Sequence, residues 1–143
     1  MPSPSFIQIG PRPHYLTHFE VLDERRISAT AIFPSSDPTL LDRDHVNVAH
    51  EFFAVWNAAH ALCSRSQLTR PLIRRFTAQF SRVLLPDTPV DVLFECLNPK
   101  ILPNKMATSS FRATLSTKDG EEISSFEGTF FAEAATNCPT STY

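Results

Sequence analysis

Residues 45–63, His-Val-Asn-Val-Ala-His-Glu-Phe-Phe-Ala-Val-Trp-Asn-Ala-Ala-His-Ala-Leu-Cys, limit the fold of this chain more than any other stretch. They form its longest uninterrupted helical segment, and apolar side chains recur on nearly every side of it. A helix apolar all round cannot rest on a surface; the rest of the chain must wrap it. The stretch nevertheless carries three histidines, two asparagines and one glutamate. Polar groups inside an apolar element need partners or do chemistry, because burying them bare is costly.

The flanking sequence supplies the wrapping. Residues 14–23 and 27–33 read as strands, the second alternating Ile27, Ala29, Ala31 and Phe33 against polar neighbours. The segment Pro34-Ser-Ser-Asp-Pro38 breaks the run, and Asp44 is placed to cap the helix by accepting amides of its first turn. After the helix come strands at 73–84, 90–96, 107–117 and 123–132. Their inward faces are expected to hold Phe76, Ala78 and Phe80, then Val90, Val92, Phe94 and Cys96, then Phe111, Ala113 and Leu115. Residues 98–104 read as a loose connection, and Asp119-Gly120 as a hairpin turn. One helix among many strands covers a sheet only if the sheet curls around it. The expected class is α+β, a curved antiparallel sheet around one long central helix, with residues 14–133 as one domain, 1–13 as a proline-rich arm and 134–143 as a polar tail.

Composition removes several function classes. A net charge of −2 gives no basic field for nucleic acid. Three scattered glycines, Gly10, Gly120 and Gly128, make no phosphate-cradling loop. No run reaches the roughly 20 apolar residues of a membrane span, and the N-terminus lacks the pattern of a secretory signal. Cys63, Cys96 and Cys138 lack metal-site spacing and read as free thiols of a reducing, cytoplasmic compartment. His14 and His18 share a strand face, but no third ligand is evident. No metal and no cofactor are expected.

The order of elements resembles the hotdog fold of acyl-CoA and acyl-carrier-protein thioesterases and dehydratases. Within it, the FcoT-like fatty acyl thioesterase branch is similar in His45-Val-Asn47 at the helix start, in Glu51 followed by Asn57, and in residues 72–86, Leu-Ile-Arg-Arg-Phe-Thr-Ala-Gln-Phe-Ser-Arg-Val-Leu-Leu-Pro. The resemblance implies an acyl-CoA or acyl-carrier-protein substrate, and a homodimer or dimer of dimers joined edge to edge. Two family features are missing. Ile32 stands before Phe33-Pro34 where hotdog dehydratases carry histidine, and the helix start has no His-Gly-Gly.

Glu51 is the carboxylate inside the helix, flanked by Phe52, Phe53 and Val55. Desolvation there raises a carboxyl pKa toward the range of a general base, which thioester hydrolysis needs for its water; the alternative is a solvent-facing glutamate offsetting the helix dipole. Amides around Val46 and Asn47 stand at the positive end of that dipole, where an oxyanion would sit. His45 is a candidate for positioning substrate or donating a proton. His50, Ala54, Asn57 and Ala61 share one helical stripe, read either as a shallow groove for an extended ligand or as polar groups bonded to neighbouring strands. Trp56 belongs to the core or to an acyl tunnel. In acyl-carrier enzymes, cations such as Arg74, Arg75 and Arg82 meet phosphates; a solvated strand face is the plain alternative. Hydrolysis of an acyl thioester is the expected reaction. Dehydration or hydration of a β-hydroxyacyl or enoyl group, and acyl binding without catalysis, are the alternatives.

Overall fold

Alternation along the strands is what builds the sheet, because every second side chain meets the same face. The computed structural model describes residues 15–36, 41–42, 44–65 and 68–134. In chain order the strands are β1 (Leu16–Asp23), β2 (Arg26–Ala31), β3 (Leu41–Asp42) and β4 (His45–Val46). Helix α1 (Val48–Arg65) follows, then β5 (Leu68–Phe80), β6 (Val90–Cys96), β7 (Lys100–Ile101), β8 (Met106–Ser116) and β9 (Glu122–Ala134). The main sheet runs β1-β2-β6-β8-β9-β5, with β7 added to β8, and every pairing is antiparallel.

The inward face carries Ile27, Ala29 and Ala31, then Val90, Val92 and Phe94, then Phe111, Ala113 and Leu115, then Phe126, Phe130 and Ala132, all buried. Helix α1 meets this face with Ala54, Val55, Ala58, Ala59, Ala61, Leu62 and Cys63. The alanines matter because their small side chains let a curved sheet close over the helix. β5 joins β9 through two irregularities, between Thr69 and Leu72 and between Ile73 and Arg75. Gly128 lies opposite Phe76 beside the second of these. A Cβ at Gly128 would run into the Arg75 carbonyl and the Phe76 backbone, so the strands close here because no side chain intervenes.

Several boundaries differ from those the sequence suggests. The helix starts at Val48 rather than 45, because His45 and Val46 pair with Asp42 and Leu41 in a short hairpin. Its cap is Asn47, whose side-chain Oδ1 accepts the Ala49 amide at 2.8 Å while its carbonyl accepts that of His50 at 2.9 Å. Asp44 sits one hairpin earlier, in a turn, and cannot fill that role. The connection at 98–104 contains β7. The stripe of His50, Ala54, Asn57 and Ala61 is not an open groove: Ala54, Asn57 and Ala61 are packed away from solvent. The arm at 1–13, His14, the tail beyond Ala134 and Cys138 lie outside the described residues.

Candidate active site

The first turns of α1 place Glu51 where the helix faces β9. Along that strand the inward positions hold Phe126, Phe130 and Ala132, but the nearest to the helix start holds Ser124. Glu51 is 2% exposed and Ser124 is fully buried. The Ser124 hydroxyl donates to Glu51 Oε1 at 2.7 Å. Desolvation pushes the Glu51 carboxyl up to about 7, while the Ser124 hydrogen bond and the nearby His45 pull it back. The result is a buried acid that exchanges its proton near neutral pH.

Around this pair the sequence-predicted residues divide. His45 is near enough to bias the Glu51 charge, and its Nδ1 lies 3.5 Å from the Asp44 carboxylate. The Val46 amide donates to the Leu84 carbonyl at 2.8 Å, so it serves the fold rather than an oxyanion. Asn47 caps the helix. His50 turns toward β1, with its Nδ1 hydrogen-bonded to the Tyr15 hydroxyl at 2.6 Å. Asn57 is buried two turns deeper. Trp56 lies on the helix flank between Phe53, stacked with ring centroids 6.1 Å apart, and His60 at 5.8 Å. Its indole Nε1 is buried with no hydrogen-bond partner among the described residues.

Comparison with known proteins rests on structure, since no family profile and no curated protein matches the sequence. A hypothetical thioesterase with coenzyme A from Streptococcus pneumoniae TIGR4 superposes with a TM-score of 0.62 at 11% identity, covering 82% of this chain and 85% of that one. A putative thioesterase from Shewanella oneidensis gives 0.62 at 10%, covering 80% and 82%. The PaaI protein of the E. coli phenylacetic acid degradation operon gives 0.59 at 11%, covering 78% and 79%. The fold is a hotdog. Its central helix is α1, and its sheet is the curved antiparallel layer described above.

Arg74 and Arg75 sit on the outer side of this hotdog's sheet. The Arg74 guanidinium lies over the Phe131 ring, 5.0 Å from its centroid. Arg75 pairs with Thr129, five residues along β9 from Ser124, a separation of about 17 Å at strand rise. The structure therefore does not bring either arginine to Glu51. Arg82 is closer in the chain fold, since its amide bonds the Ile123 carbonyl at 3.3 Å, but its guanidinium pairs with Glu121 at 3.1 Å.

Two residues of the site escape sequence reasoning. Ser124 has a signal, a lone hydroxyl on the inward register that Phe126, Phe130 and Ala132 otherwise keep apolar. Tyr15 has none, because its meeting with His50 depends on how β1 lies against the helix. Among the described residues no cluster of metal-ligating side chains occurs, and no helix is long and apolar enough to cross a membrane.

Proposed function

We propose that the protein hydrolyses acyl thioesters, with the Glu51 carboxylate as general base for the attacking water. The observation that carries this reading is Glu51 itself, buried, hydrogen-bonded to Ser124 and lifted to about 7. A base with a pKa near the working pH combines a usable ionised fraction with proton affinity, which is the optimum for general-base catalysis. Ser124 orients the carboxylate, His45 supplies a nearby positive charge when protonated, and the helix N-terminus beyond Asn47 faces the charge that develops on the thioester oxygen. His50 and Asn57 act from deeper in the same helix, His50 held by Tyr15.

The hotdog fold, and the resemblance of the helix start to the FcoT-like branch, support a fatty acyl group on coenzyme A or on a carrier protein as the substrate. A homodimer suits the same reading. β5 is an edge strand, and it leaves Leu72, Phe76 and Phe80 at 58%, 41% and 45% exposed. An edge so apolar is a template for pairing with a second copy. The deciding experiment is thiol release from a panel of acyl-CoA and acyl-carrier substrates, comparing the native chain with Glu51→Gln. Turnover that needs Glu51 supports the proposal; turnover unchanged in Glu51→Gln refutes the mechanism. Tight acyl binding with no turnover at all would make the chain an acyl-binding module instead.

A further inference from the structure

A cavity about 600 Å³ in volume opens at the other end of α1 from Glu51, beside Leu62 and Cys63. The helix advances about 18 Å between Glu51 and Cys63 at 1.5 Å per residue, so the two places are distinct. The walls are apolar, supplied by Leu62, Ala107 and Phe130. The floor is firmly built. The Ser109 hydroxyl donates to the Ser110 carbonyl at 2.7 Å and accepts the Asn98 amide at 3.4 Å, and the Cys96 amide donates to the Arg25 carbonyl at 2.8 Å.

The mouth carries Arg25, Arg65 and Lys100 against one carboxylate, Glu24. Arg65 lies in the last helical turn, where a cation offsets the negative end of the dipole. Arg25 and Lys100 have no such engagement. Arg26, Arg82, Arg112 and Lys118 all face carboxylates at 3.0, 3.1, 3.0 and 2.6 Å. Neither Arg25 nor Lys100 forms an ion pair among the described residues. A cavity of this size is in the range of small-molecule sites, which join apolar walls to a few placed polar groups.

We propose that this cavity binds a medium-chain monocarboxylic acid, its tail against Leu62 and Phe130 and its carboxylate between Arg25 and Lys100. A single carboxylate, with its two oxygens, can bridge Arg25 and Lys100, the two lining cations without an ion pair among the described residues. A polyanion would bring further charge against Glu24 and the helix C-terminus. The inference does not rest on the hydrolase reading, since no group near Glu51 takes part.

Decanoate, titrated into the ¹⁵N-labelled full chain and followed by NMR and calorimetry, tests it. Saturable binding should shift the amides of Cys96, Ser109 and Phe130. The double variant Arg25→Gln, Lys100→Gln, altered only at exposed positions, should bind decanoate at least about tenfold more weakly, as should decanol bind the native chain. Glu51→Gln should bind decanoate as the native chain does. No saturable binding, shifts centred on Glu51 and Ser124, or equal affinity for decanol would each overturn the proposal.

Discussion

The two ends of α1 bury a titratable side chain to the same depth, and the outcomes are opposite. Glu51 and Cys63 are each 2% exposed, and for both the leading influence is loss of water. The carboxyl starts low, so desolvation carries it to about 7, into the range where it can take and give a proton. The thiol starts at 9.0, so the same effect carries it to about 12 and keeps it neutral. Cys96, beside it, is pushed to about 11 by burial, although the neighbouring Ser109 hydroxyl and Arg25 pull it back. Burial alone therefore does not make a reactive group; the starting pKa decides whether burial activates or silences it.

The strongest way to break that contrast is to remove the acid. Glu51→Gln keeps the shape and the acceptor for Ser124 but cannot take a proton, so thioester hydrolysis should fall about 10²- to 10⁴-fold in kcat. A stopped thiol-release assay measures it, and a loss below tenfold would separate Glu51 from the chemistry.

The next effect is on stability. The folded Glu51 pKa lies above the unfolded value near 4.5, so between these two values the native state holds a proton that the unfolded chain has released. Stability should therefore be fully present below about pH 4.5 and decline as pH rises toward 7, by up to about 3 kcal/mol, then level off. Glu51→Gln should flatten that decline and raise the melting temperature at pH 8. Urea titrations from pH 5 to 8 read the slope directly; identical slopes in both proteins would contradict the burial argument.

Ser124→Ala should have a smaller effect. Its hydrogen bond lowers the Glu51 pKa, so its loss should move the midpoint of the pH–rate profile upward by about one unit and reduce the rate at pH 7 several-fold. The deficit should shrink by pH 9. A uniform loss at every pH would mean that Ser124 acts on substrate rather than on the carboxylate. The smallest effect belongs to the thiol end. Cys63→Ala should leave the pH–rate midpoint in place and lower stability by about 1–2 kcal/mol, as expected for trimming a small buried side chain. A displaced midpoint would show the two ends to be coupled.

The sheet was legible because alternation is a local property. Val90, Val92 and Phe94 on β6, and Phe111, Ala113 and Leu115 on β8, all face the core as their spacing suggests. The helix start was not legible, because a hairpin between Leu41–Asp42 and His45–Val46 competes with the first helical turn and no local signal ranks the two. Phe76 and Phe80 share the inward face but remain partly exposed, since β5 is an edge strand, even though Phe52 of the helix stacks on Phe76 with ring centroids 4.5 Å apart. Glu51 stood out as a carboxylate among aromatic residues, and its burial and raised pKa follow from that setting. Its hydrogen bond to Ser124, 73 positions away, depends on the register of β9 against the helix. Spacing along the chain carries no information about that register.

Gly128 marks a place where the backbone leaves no room for substitution. Charged residues at exposed positions can be exchanged with little effect on the backbone. The backbone of Arg75 and Phe76 nevertheless occupies the space any side chain at 128 would need. A protein of the same fold should therefore be easier to recognise by a glycine opposite a bulged edge strand than by the residues around Glu51. Deep mutational scanning should find this position as intolerant of exchange as any in the protein.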